Sequence, residues 1–199
     1  MAKKPLNKIF LSASIPLQER HPQYYETADF IAIRDAVKAL ATVVIPRCQL
    51  VWGGHPSITP LIRYVVEKMG ANSKNHVTLY QSMAFAKYFP KDNVSFERII
   101  YTLEMQSIDE SLSLMREKMI GENSFVAGIF VGGMEGILDE YEIFSKHHPE
   151  AIAIPIASTG AAAKILFNIM DGMNLELDHR LLNDYAYMAL FKDLLDDYL

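Results

Sequence analysis

The chain lacks most of the features that mark secreted, metal-built or membrane-spanning proteins. One cysteine, Cys48, in 199 residues leaves no partner for an internal disulfide. Six histidines are scattered and never cluster with cysteine at zinc-ligand spacing, so no metal site is expected. No apolar run approaches the roughly 18 residues of a membrane span. The apolar stretch after Lys8 ends at Ser12, too short for a signal-peptide core. Positive charge is not in excess either. Against 24 Asp and Glu stand 19 Lys and Arg, and the net charge of −5 argues against a broad nucleic-acid or anionic-membrane surface. A soluble, cytoplasmic protein is expected, with neither nucleic acid nor membrane as partner.

What is present is an ordinary globular composition, 50% hydrophobic and 22% charged. At this length one domain spanning residues 1–199 is expected, with a core that needs no disulfide or metal. Short apolar runs alternate with amphipathic segments. Residues 8–12, 49–52, 76–80, 98–103, 125–131 and 151–155 read as strands. Residues 125–131 (FVAGIFV) are nearly all apolar, as a central parallel strand buried on both faces should be.

Helical spacing covers residues 29–44, 61–69, 109–120, 135–147 and 161–170, with the tail 178–199 read as one helix. Ser57 or Thr59 is the expected cap before Pro60, and Gly70 the expected stop. Residues 81–94 fit no element. Six strand–helix alternations predict an α/β fold, a three-layer Rossmann-like parallel sheet with helices on both faces.

In such sheets ligands lie beyond the carboxyl ends of the strands. Four turns leave a strand with small or polar residues: Ser12-Ala13-Ser14, Gly53-Gly54-His55-Pro56-Ser57, Gly132-Gly133-Met134-Glu135-Gly136 and Ser158-Thr159-Gly160. Glycines let the backbone approach a ligand, and the helix N-terminus that follows offers free N–H groups to a phosphate. Neither glycine turn is a G-x-G-x-x-G followed by an acidic residue about 20 positions on, and there is no G-x-x-x-x-G-K-[ST]. Dinucleotide-dependent oxidoreductases and P-loop enzymes are therefore disfavoured, and no cofactor is expected.

The stretch from Met115 to Glu140 is the most informative. Arg116 and Met119 precede the apolar strand, and Gly132-Gly133-Met134-Glu135-Gly136-Ile137 leads to Glu140. This resembles the LOG (lonely-guy) phosphoribohydrolases and the wider SLOG superfamily of Rossmann-like nucleotide-binding domains. Their pattern is a helix arginine, an apolar strand and P-G-G-x-G-T-x-x-E. Arg116 lies sixteen residues before Gly132, and Val51-Trp52-Gly53-Gly54-His55 sits where the family has a G-G-G turn. The resemblance spans residues 8–170 and is nearer to SLOG domains of bacterial antiviral systems than to the hydrolases.

Departures are specific. Val131 replaces the proline, Met134-Glu135 puts an extra residue between glycines, Ile137 replaces the threonine and His55 a glycine.

The resemblance implies that Arg116 and Glu140 act on an N-glycosidic bond if the protein is an enzyme. A fixed guanidinium binds phosphate, while a carboxylate stabilises positive charge at the sugar carbon or activates water. As ligand-binding residues we expect these two with Ser12, Ser14, Gly53, Gly54, His55, Gly132, Gly133, Met134, Glu135, Gly136, Thr159 and Gly160. Arg20, Tyr24 and Tyr25 lie in a loop able to cover the ligand.

The leading expectation is a sensor module of a bacterial defence system. It would bind a nucleotide or NAD-derived signal, such as a cyclic ADP-ribose-like molecule, self-associate, and act through a separately encoded effector. The alternative is a nucleotide N-glycosidase or phosphoribohydrolase.

Overall fold

Side chains alternate across each strand of the sheet, and that alternation sorts them into two cores. The computed structural model describes residues 5–20 and 22–199, with side chains described for all of these except residues 71 and 72. In chain order the elements are β1 (Lys8–Ser14), α1 (Pro22–Tyr25), α2 (Phe30–Val44), β2 (Gln49–Gly53), α3 (Thr59–Met69), β3 (Val77–Ser82), β4 (Ile99–Thr102), α4 (Ile108–Gly121), β5 (Ala127–Gly132), α5 (Glu135–His147), β6 (Ile152–Ile156), α6 (Ala161–Gly172) and α7 (Tyr187–Leu194).

Ile9, Leu11, Leu50, Trp52, Ile129 and Val131 face a core shared with α2, α3 and α7. Phe10, Val51, Tyr80 and Phe130 face the opposite core, shared with α4, α5 and α6. The three-layer parallel α/β fold expected from the sequence is what forms.

The described strands make one sheet in the order β4-β3-β2-β1-β5-β6, and every pairing is parallel. From β1 the chain steps outward through β2, β3 and β4, then returns across the sheet to place β5 on the other side of β1. The β1/β5 boundary is thus the switch in strand order, where diverging connections leave a crevice. Ser14 pairs with Gly132 at the end of that boundary.

The second core is aromatic. Phe10 lies 5.5, 6.1 and 5.8 Å from the rings of Phe125, Phe130 and Phe144. Gly128 is a necessity of that packing, since a Cβ there would meet the Phe144 ring at 2.8 Å.

Most helix ends follow local chemistry. The Asp29 side chain caps α2 by accepting from the Ala32 amide at 2.9 Å, and Ser107 caps α4 by accepting from Glu110 at 3.1 Å. α5 spans the residues expected of it.

Two expectations are corrected. α3 has no side-chain cap: it begins after Ile58 with Pro60 in its first turn, and the Thr59 hydroxyl is buried without a hydrogen-bond partner among the described residues. The tail is not one helix. A 3-10 turn at His179–Leu182 and the separate α7 flank a break, where Asp184 accepts from the Ala186 amide at 2.7 Å. A short acidic side chain that bonds its own backbone competes with helix propagation.

Leu181, Tyr187, Leu190, Phe191 and Leu195 of this tail are buried in the first core. No helix among the described residues is long and apolar enough to cross a membrane.

Candidate functional site

Five separate chain segments meet at the carboxyl edge of the sheet around a cavity of about 340 Å³. β1 contributes Ser12 and Ser14, and the turn after β2 contributes Gly53, Gly54, His55 and Pro56. The end of β3 adds Gln81 and Ser82, and the segment beyond it Phe85, Tyr88, Phe89 and Pro90. α4 gives Leu112, Met115 and Arg116; the start of α5 gives Met134, Glu135, Gly136, Ile137 and Glu140. The cavity sits at the switch between β1 and β5, where the topology predicts a ligand site.

Glu140 and Arg116, 24 residues apart in sequence, come together at its floor. The Arg116 Nε lies 3.5 Å from Glu140 Oε1, and its Nη1 donates to Asp139 Oδ2 at 2.9 Å. Side chains of both Arg116 and Glu140 are largely buried, 17% and 15% exposed. The Ser12 hydroxyl donates to the other Glu140 oxygen. Burial pushes the Glu140 carboxyl above its usual range, while Arg116 and the Ser12 hydrogen bond pull it back. Glu140 is thus a carboxyl held by a cation and a hydroxyl in a poorly solvated corner. Such a group can accept hydrogen bonds from a ligand or exchange a proton.

His55 also lines the cavity. Its Nδ1 accepts from the Ser57 amide at 3.2 Å, which places the ring proton of the neutral form on Nε2. Burial lowers its pKa to about 4, so the ring is neutral at ordinary pH and adds no charge. Arg20 reaches the mouth of the cavity and pairs with Glu135 at 3.2 Å. Among the described residues no three His, Cys, Asp or Glu side chains stand where they could share a metal ion.

Ten of the fourteen residues expected from sequence line the cavity. Gly132, Gly133, Thr159 and Gly160 lie behind it and shape the turn. Thr159, fully buried, accepts from the Gly132 amide at 2.9 Å and donates to the Ile156 carbonyl at 2.5 Å. The Gly133 amide donates to the Ser14 carbonyl at 2.9 Å, tying the end of β1 to the turn. Of the loop residues, Arg20 lines the cavity, Tyr24 is buried in the second core, and Tyr25 packs on Phe30 at 5.2 Å.

Sequence reasoning missed the wall made by Gln81, Ser82, Phe85, Tyr88, Phe89 and Pro90. Its signal was available: polar residues end β3, and aromatics recur at Phe85, Tyr88 and Phe89 before a proline. The turn has no glycine, so it was not counted with the others.

Fold and cavity together define a Rossmann-like α/β module with its cavity at the sheet's switch point. The chain belongs to the SLOG cluster3 family, whose model matches residues 23–195. It is a nucleotide-related module. Comparison with curated proteins returns no match.

Proposed function

We propose that the cavity binds a nucleotide-like or NAD-derived small molecule and that the protein is a sensor. Occupancy would be passed to a separately encoded effector, in the manner that the likeness to SLOG domains of bacterial antiviral systems implies. The observation carrying this reading is the convergence of Ser12, Gly54, His55, Arg116, Gly136 and Glu140 on one cavity at the β1/β5 switch. Sensing is favoured over turnover by the state of the Arg116–Glu140 pair. Arg116 donates to Asp139 and stands in an ion pair with Glu140, which in turn accepts from Ser12. Groups committed to one another in this way suit a fixed binding surface.

A second reading has its own support. A carboxyl raised by burial beside a guanidinium, at the edge of a cavity, suits the proton transfer of an N-glycosidase.

Incubation with nucleoside monophosphates and NAD-derived cyclic nucleotides, followed by mass spectrometry and thermal denaturation, separates the two. A sensor shows ligand-dependent stabilisation without turnover, lost in Arg116→Ala. Release of free base, abolished in Glu140→Gln, would sink the sensor reading and establish the enzyme.

A further inference from the structure

The two edges of the sheet differ. β6 packs against the 3-10 turn at His179–Leu182, and its last residues, Ile154, Pro155 and Ile156, are buried. β4 has β3 on one side and no strand of the described sheet on the other. Tyr101 in it is 51% exposed, and Leu103 just beyond it 71%. Edge strands are commonly blunted by lysine, proline or a bulge. β4 carries none of these.

The register of β4 on β3 fixes which of its backbone groups are free. The Leu79 amide donates to the Arg98 carbonyl at 3.0 Å, and Leu79 pairs with Ile99. Alternate residues of a strand turn their backbone groups to the same side. Arg98, Ile100 and Thr102 therefore face β3, while Ile99, Tyr101 and Leu103 face the open edge. An antiparallel copy of the strand can dock there only with odd-numbered residues opposite odd-numbered ones. Within the strand, the centre of such a pairing is Ile100, Tyr101 or Thr102.

Charge decides among the three. Arg98 and Glu104 flank the strand, both exposed, and neither has an ion-pair partner among the described residues. Along an extended chain they stand about 20 Å apart, too far to reach each other within one copy. Centred on Tyr101, the pairing sets Arg98 of each copy opposite Glu104 of the other, and Ile99 opposite Leu103. Centred on Ile100 it would set Arg98 against Thr102, and centred on Thr102 against Gln106. Opposite charges and apolar side chains facing each other are the cross-strand pairs that stabilise a sheet.

We infer that β4 is a self-association edge, on which two copies pair β4 with β4, antiparallel about Tyr101, with Arg98–Glu104 ion pairs closing both ends. Two six-stranded sheets then become one. Phe89, which lines the cavity, stacks on Tyr101 at 5.6 Å, so the contact backs one wall of the cavity. The pairing does not depend on what the cavity binds, and its failure leaves the proposed function standing.

Sedimentation equilibrium of the full chain should show a concentration-dependent dimer. Arg98→Glu and Glu104→Arg each set like charges opposite one another at both ends, and each should weaken the dimer about tenfold or more. The double exchange should restore it. Both residues are exposed, so the single variants should keep the wild-type circular dichroism. Tyr101→Cys gives a second reading, because the native Cys48 is buried. A cysteine on the two-fold axis faces its own copy at disulfide distance and should crosslink under mild oxidation. Leu103→Cys, opposite Ile99, should not. A monomer at every concentration up to about 1 mM overturns the inference and leaves the edge to a strand of another protein. A dimer that ignores the charge exchanges, or that Tyr101→Cys fails to crosslink, places the contact elsewhere and overturns it as well.

Discussion

His55 accepts the Ser57 amide at Nδ1, and burial brings its pKa from 6.5 down to about 4. Between these values the unfolded chain takes up a proton that the folded chain refuses. The stabilising contribution is therefore complete above pH 6.5 and is lost as pH falls to about 4, amounting to at most about 3 kcal/mol. In His55→Asn that loss should disappear, read as a shallower acid limb in urea unfolding. Glu140 has the opposite sign. Its carboxyl lies above the ordinary 4.5, so its contribution is present below that pH and fades as pH rises through the folded value. Glu140→Gln should gain stability relative to the wild type from pH 4.5 upward, measured by the same titration. At Gly160 the constraint is steric. Its φ is +70°, and a Cβ would run into the Thr27 carbonyl oxygen, a backbone atom that no rotamer change can move. Gly160→Ala should cost about 2 kcal/mol or more. Gly172→Ala, with open space around it, should be neutral or stabilising by up to about 1 kcal/mol in thermal unfolding.

At the scale of elements, Asp29→Ala should cost about 1 kcal/mol in denaturant unfolding, because the Ala32 amide loses its acceptor. This end of α2 was legible in sequence to within one residue, from the helical spacing of Phe30, Ile33, Val37 and Leu40. β5 and α5 were equally legible, one from an unbroken apolar run and the other from the glycine turn before it and Pro149 after it. The tail was not. Its apolar residues keep helical spacing across the break, so periodicity alone joined what Asp184 separates. Residues 83–95 were opaque for a different reason: they form 3-10 turns, Met83–Tyr88 and Lys91–Ser95, whose three-residue period matches neither strand nor helix templates. The site divided along the same line. Arg116, Glu140 and Ser12 stood out through the family pattern and strand ends. The aromatic wall lay in the opaque segment. Gly132, Gly133 and Gly160 were legible as special positions; their positive φ shapes the chain's own turns, and they do not line the cavity.

Across the whole molecule the most deeply packed and the loosest parts meet at the cavity. β1 and β5 are interior strands of the sheet, covered on both faces, and their core residues Ile9, Phe10, Ile129 and Phe130 are fully buried. The aromatic wall opposite has no such anchor. No residue of Met83–Tyr88 is buried, and in Lys91–Ser95 only Asn93 is, through its side-chain bond to Gln81 at 2.5 Å. Few buried contacts mean that local opening there needs far less free energy than global unfolding. Amides in residues 83–95 should exchange with deuterium much faster than those of β1 and β5, which should open only with the whole protein. A ligand held against Phe85, Tyr88 and Phe89 would add the missing contacts on the cavity side. Its binding should slow exchange in residues 83–95 while leaving β1 and β5 unchanged, because those strands are already at the global limit. Hydrogen-exchange mass spectrometry with and without a nucleotide that stabilises the protein against heat checks this. Protection confined to the turn after β5, with the wall still exchanging freely, would instead put the ligand on α5 and remove the wall's role in recognition.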